Sequence, residues 1–113
     1  MENCLFCRIV KGEIPSEKVY ENDYVYAFRD INPQTPVHIL VIPKKHFSSL
    51  NDIDCAEDRE LAECLRAVRK IAELEKLSGG YRVVSNCGPD ACQSVQHLHF
   101  HILGGIRMGE SMA

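Results

Sequence analysis

With 113 residues, 45% of them hydrophobic and 26% charged, the chain has room for one modest core and not for two domains, and its few Gly and Pro residues exclude a disordered or fibrous class. The formal net charge of −3 comes from acidic and basic residues interleaved along stretches such as CAEDRELAECLRAVRKIAELEK, which argues against long nucleic acid as a partner. MENCLFCRIVKGEIP carries an acid at its second position and no apolar run of signal length, and the longest uncharged run, INPQTPVHILVIP, is too short and proline-rich to span a bilayer. No membrane association is expected, a reducing cytoplasm is the expected location, and the six cysteines read as thiols or metal ligands rather than disulfides.

In chain order, residues 4–11 form a short amphipathic stretch of one or two helical turns, stopped by Gly12 and Pro15. KVYENDYVYAFRD predicts two strands joined through the polar turn END. NPQTP is a loop, because its prolines deny donors to a ladder, and VHILVIP after it is a buried strand. KKHFSSLNDI is a connection with one helical turn. From Asp54, a capping residue with Glu57 three positions on, Leu61, Leu65, Val68 and Ala72 recur at helical spacing until SGG at 78–80. YRVVSN and VQHLHFHIL supply the last two strands, separated by the polar loop CGPDACQS. The sum is a single α+β domain over residues 1–113: an antiparallel sheet of about five strands, one long helix covering a face of it, and a short N-terminal helix.

VQHLHFHILGG places His97, His99 and His101 at alternate positions. On a regular strand they share one face, lining a surface, while Leu98, Phe100 and Ile102 share the other. Two chemistries use such a row: an HxH pair holding a catalytic zinc, or an imidazole nucleophile tuned by its neighbours. The intervening Leu and Phe and the following Gly-Gly offer no further metal ligand in the motif, which favours the nucleophile.

HLHFHIL also fits the pattern His-φ-His-φ-His-φ-φ, with φ apolar, and so resembles the histidine triad (HIT) superfamily of nucleotide hydrolases and transferases. DINPQTPVHILVIPKKHF, NCGPDACQSVQHLHFHILGG, GEIP and YENDYVYAF extend the resemblance over nearly the whole chain, toward the histidine triad nucleotide-binding (HINT, protein kinase C inhibitor-like) branch. The resemblance implies a HIT-like fold, a homodimer, and attack by His99 on the α-phosphorus of a nucleoside 5′-phosphate derivative. A nucleotidyl-histidine intermediate would then be resolved by water, with no metal needed for the chemical step. Imidazole suits this task near neutral pH if its second nitrogen is held by an acceptor.

By the same resemblance His101 and His38 support the nucleophile and the phosphate, Ser94 hydrogen-bonds the leaving group, and Asn86 and Gln93 contact the phosphate region. Asp30 takes the ribose hydroxyls, and Leu5, Phe6, Ile9, Phe28 and Ile31 wall the purine. His46 and His97 then remain beside the CxxC pair, Cys4 and Cys7. Two Cys and two His make a closed tetrahedral set for a structural zinc, which some bacterial-type relatives carry. The implied activity is that of a purine nucleoside phosphoramidase acting on AMP- or GMP-type substrates. A nucleotide-binding adaptor with residual turnover and a dinucleoside polyphosphate hydrolase are the alternatives. The chain departs from close relatives at Ala91 and Cys92, where they usually place Gly-Gly, and it lacks the Trp that some carry in a tail over the leaving group.

Overall fold

The computed structural model describes residues 3–112. It is an α+β arrangement of α1 (Leu5–Val10), β1 (Lys18–Glu21), β2 (Val25–Arg29), β3 (Val37–Pro43), α2 (Asp58–Leu74), β4 (Tyr81–Val84) and β5 (Phe100–Gly104), with a 3-10 turn at Leu50–Cys55 ahead of α2. The five strands form one antiparallel sheet in the order β1-β2-β3-β5-β4.

Alternation along the central strands splits the core in two. Val25 and Ala27 of β2, Ile39 and Val41 of β3 and Ile102 of β5 pack under Cys64, Ala67, Val68, Ile71 and Ala72 of α2. Tyr26 and Phe28 of β2 and Leu40 and Ile42 of β3 point the other way, against Phe6 and Ile9 of α1. Both faces of the sheet centre are therefore covered, which is why β3 after His38, from Ile39 to Pro43, is an unbroken apolar run rather than an alternating one. At the turn before β2, the Asn22 carboxamide oxygen accepts from the backbone N–H of Tyr24 and of Val25 at 2.8 and 3.0 Å.

The long helix begins at Asp58, not near Asp54. Asp54 belongs to the 3-10 turn, and the capping residue is Glu57, whose N–H donates to the Glu60 carboxylate at 2.8 Å. It stops at Leu74, before SGG, because Lys76 turns into the left-handed region at φ 59°. Leu65 is 59% exposed, and Cys64, one position back, takes the buried place instead. Arg29 at the end of β2 holds Glu75 through two bonds of 2.9 and 3.0 Å, tying the helix end to the sheet.

The last strand departs most from the alternating pattern. β5 starts at Phe100, so His97, Leu98 and His99 lie on irregular chain before the ladder. Their backbone groups are used elsewhere: the Leu98 N–H donates to the Phe47 carbonyl at 2.6 Å, and the His97 and His99 carbonyls accept from side chains. As a result the three histidines do not line one surface. His97 is fully buried and faces away from His99 and His101, with the Phe6 ring 5.9 Å from His97 and 5.2 Å from His99. Among the described residues, no helix is long and apolar enough to cross a membrane.

Candidate active site

The sheet register gathers the site. Leu40 of β3 stands opposite His101 of β5, so His38, two residues back on β3, shares that face and is a diagonal neighbour of His101. Phe28 stands opposite Leu40, and the next residue but one, Asp30, is joined to His38 by an N–H···O=C bond of 3.0 Å. Asp30, His38 and His101 thus converge at one end of the sheet, on the face covered by α1.

A cavity of about 340 Å³ opens there. Leu5, Phe6 and Ile9 of α1, Phe28, Leu40 and Ile14 form its apolar walls, and Asp30, Ser94, His99 and His101 its polar end. Ile31 sits at the mouth, 94% exposed. An apolar slot ending in a few polar groups suits a flat base attached to a charged tail.

His99 is buried against Phe6, and its Nδ1 lies 2.7 Å from the His97 carbonyl. A carbonyl only accepts, so Nδ1 carries the proton and Nε2 keeps its lone pair. The Ser85 hydroxyl donates to the His99 carbonyl at 2.8 Å and fixes the backbone beneath. His101 touches His99 with ring centroids 5.1 Å apart, and its Nδ1 is 2.9 Å from His38 Nε2, which is also 3.4 Å from the Asp30 carboxylate. Burial lowers the pKa of all three rings, and Asp30 opposes the effect in each. In His101 the neighbouring His99 and His38 add to burial and take it to about 4.

That depression has a stability consequence. A free imidazole titrates near 6.5, so between that pH and about 4 the unfolded chain takes up a proton at His101 that the folded chain refuses. Stability is therefore retained above about pH 6.5 and falls as the pH drops toward 4. Thermal melts across this range should show a declining midpoint, with a shallower decline in His101→Asn; equal slopes would mean that His101 does not carry the effect.

Two residues predicted to touch phosphate stand apart from the cavity walls. Gln93 spends its carboxamide on loop backbone, accepting from the Gly88 N–H at 2.9 Å and donating to the Ser48 and Val95 carbonyls at 2.7 and 3.0 Å. Asn86 is half-buried just beyond β4. Cys92 adopts φ 58°, a conformation glycine enters freely and other residues at a cost of about 1 kcal/mol or more. Arg29, Asn32, Pro15, Ser16 and Val95 also line the cavity. Nothing in their sequence pattern marks them, because only the folded register brings them there.

On the other side of Phe6, Cys4, Cys7, His46 and His97 bring one ligand atom each within 4.8 Å of one another. The Cys4 and Cys7 sulfurs lie 3.3 and 3.5 Å from His97 Nδ1, Cys7 Sγ is 3.3 Å from His46 Nδ1, and the two Nδ1 atoms are 3.2 Å apart. Tetrahedral zinc bonds of about 2.0–2.3 Å demand edges of roughly 3.3–3.8 Å, so the donor set fits zinc in kind and in scale. His97 Nε2 donates to the Pro43 carbonyl at 2.8 Å, which directs its Nδ1 lone pair into the cluster. Burial and Cys4 raise the Cys7 thiol to about 11, a penalty that a bound cation would reverse.

The HIT domain family matches residues 11–108, and the chain belongs to that family. Within it the chain falls in the histidine triad nucleotide-binding branch. It is 50% identical over 107 residues to the 14 kDa zinc-binding protein of Zea mays, covering 92% of this chain and 83% of that one. It is 41% identical over 113 residues to the purine nucleoside phosphoramidase of Escherichia coli K12, covering 99% and 95%. The solved HIT family hydrolase from Clostridium thermocellum superposes with a TM-score of 0.96 at 44% identity, covering 100% of this chain and 99% of that one.

Proposed function

We propose that the protein hydrolyses purine nucleoside 5′-phosphoramidates of the AMP and GMP type through a nucleotidyl-histidine intermediate. The observation that carries this reading is the bond from His99 Nδ1–H to the His97 carbonyl, which leaves a nucleophilic lone pair on Nε2 at the polar end of an apolar slot. The base lies between Phe6, Ile9 and Phe28, and the Asp30 carboxylate takes the ribose hydroxyls. His99 Nε2 attacks the α-phosphorus, the P–N bond breaks, and the amine departs with a proton delivered from the Ser94 side. Water then attacks phosphorus from the same cavity, breaks the N–P bond and releases the nucleoside monophosphate, returning His99 to its starting tautomer.

The identity to a purine nucleoside phosphoramidase supports the substrate class, and the hydroxyl of Ser94 on the cavity wall suits an amine leaving group. Cys4, Cys7, His46 and His97 would hold a zinc whose contribution is structural, joining α1 to β3 and the approach to β5. A second copy placed against α2 and the open edge at β4 would cover Leu65, Leu74, Tyr81 and Val83, all at least 39% exposed, and make the homodimer that family membership suggests.

Steady-state hydrolysis of an adenosine 5′-phosphoramidate ester, compared with a diadenosine polyphosphate at equal concentration, tests the reading. The phosphoramidate should be preferred by at least about tenfold, or roughly 1.4 kcal/mol in transition-state binding. Tight AMP binding without turnover of either compound would replace the hydrolase by a nucleotide-binding protein.

A further inference from the structure

The loop between β2 and β3 holds a group that the mechanism above does not use. The backbone N–H of Gln34 lies 3.0 Å from His38 Nδ1 and points at it. A peptide N–H can only donate, so His38 Nδ1 must be the bare nitrogen and the ring proton must sit on Nε2. The Asp30 carboxylate, 3.4 Å from His38 Nε2, is compatible with a proton on that atom but too distant to hold it there. With Nε2–H fixed, His38 donates across 2.9 Å to His101 Nδ1, so neutral His101 must carry its own proton on Nε2.

We propose that the Gln34 peptide N–H is a positioning group that orients the histidine chain, making His101 present an N–H donor to the phosphate. The order is Gln34 N–H to His38, His38 N–H to His101, and His101 N–H to a non-bridging phosphate oxygen. Reversing it would set the Gln34 N–H against a His38 N–H and turn the His101 lone pair toward an anionic oxygen. One backbone amide therefore decides whether the cavity offers attraction or repulsion where charge builds during attack. The loop makes this role possible: Pro33 and Pro36 limit its backbone freedom, and Asp30 closes it by accepting from the Asn32 N–H at 2.8 Å. The Gln34 side chain is spent on the Asn32 carbonyl at 3.3 Å and takes no part.

The tautomers are read directly from the full-length protein by two-bond 15N–1H correlation of its histidines at pH 7. His38 and His101 should each show protonated Nε2 and bare Nδ1. A second measurement replaces residue 34 by its α-hydroxy acid, exchanging the N–H for an ester oxygen and leaving the side chain intact. The ester form should mix the tautomers of both rings and, on the proposed phosphoramidase reading, lower kcat by on the order of tenfold with KM within about twofold. Gln34→Ala, which keeps the amide, should match the unmodified protein in both readouts. A proton on Nδ1 of either ring in the unmodified protein, or tautomers unchanged in the ester form, would overturn the proposal. The expected tautomers in a protein that turns over no phosphoramidate would retain the hydrogen-bond assignment and refute the function instead.

Discussion

His99→Ala is expected to lower phosphoramidate turnover by roughly 10⁴-fold or more while AMP affinity stays within a few-fold. The asymmetry follows from where the ring sits. In the proposed mechanism its Nε2 would form the bond to phosphorus, and no other group would replace it in that step. On the proposed reading base and ribose would be held by Phe6, Ile9, Phe28 and Asp30, cavity residues that the substitution leaves in place. His99→Gln keeps a polar side chain but no imidazole and should be as inactive as the alanine. His101→Ala should fall much less, by about 10²-fold, because it removes a donor to charge rather than the nucleophile. Kinetics with a good leaving group, together with AMP binding by calorimetry, would check the order; comparable losses at 99 and 101 would point to a different attacking group.

Removing metal should produce the second large effect. Purified protein is expected to hold close to one zinc per chain, and Cys4→Ser or exhaustive chelation should lower the thermal midpoint by at least about 10 °C, a loss of roughly 2 kcal/mol or more. The cost would be felt in the neighbouring cavity as well. α1 alternates between two duties: Cys7, with Cys4 just before the helix, faces the histidine pair, while Leu5, Phe6 and Ile9 line the base slot. Loosening one side of a six-residue helix should loosen the other, because a helix that short has little stability of its own. AMP affinity should therefore weaken several-fold in the metal-free form. A metal content far below one per chain, unaltered by Cys4→Ser, would refute the zinc assignment.

Much of the fold is legible in the sequence where one face of an element is buried and the other is not. VHILVIP matches β3 residue for residue, and the apolar positions of α2 recur at helical spacing. The boundaries are less legible. Asp54 and Glu57 are both plausible caps, and the choice depends on the 3-10 turn that Leu50–Cys55 makes against the rest of the chain. Leu65 and Cys64 compete for a buried place that only the crossing of α2 over the sheet decides. The triad is the clearest case. Alternation places His97, His99 and His101 on one face, whereas bonds from Leu98 to Phe47 and from His97 to Pro43, each spanning about fifty residues, pull the first histidine out of the ladder. The division of five histidines between a nucleotide site and a Cys-His cluster is what the family resemblance implies; in the structure His46 and His97 stand with Cys4 and Cys7, and His38 stands with His101, which lines the cavity with His99. The tautomers lay beyond sequence reading because backbone atoms set them: the His97 carbonyl for His99 and the Gln34 amide for His38.

The proposed mechanism stands or falls with a covalent step at one nitrogen of His99. Mixing the protein with a ribose-labelled adenosine 5′-phosphoramidate, quenching within one turnover in acid-free denaturant at high pH, and mapping the labelled peptide would test it most directly. One adenylyl group per active chain is expected, bound to residue 99 and lost on mild acid treatment as a phosphoramidate should be. Full turnover with no label on His99 at any time point, or label on another residue, would contradict it.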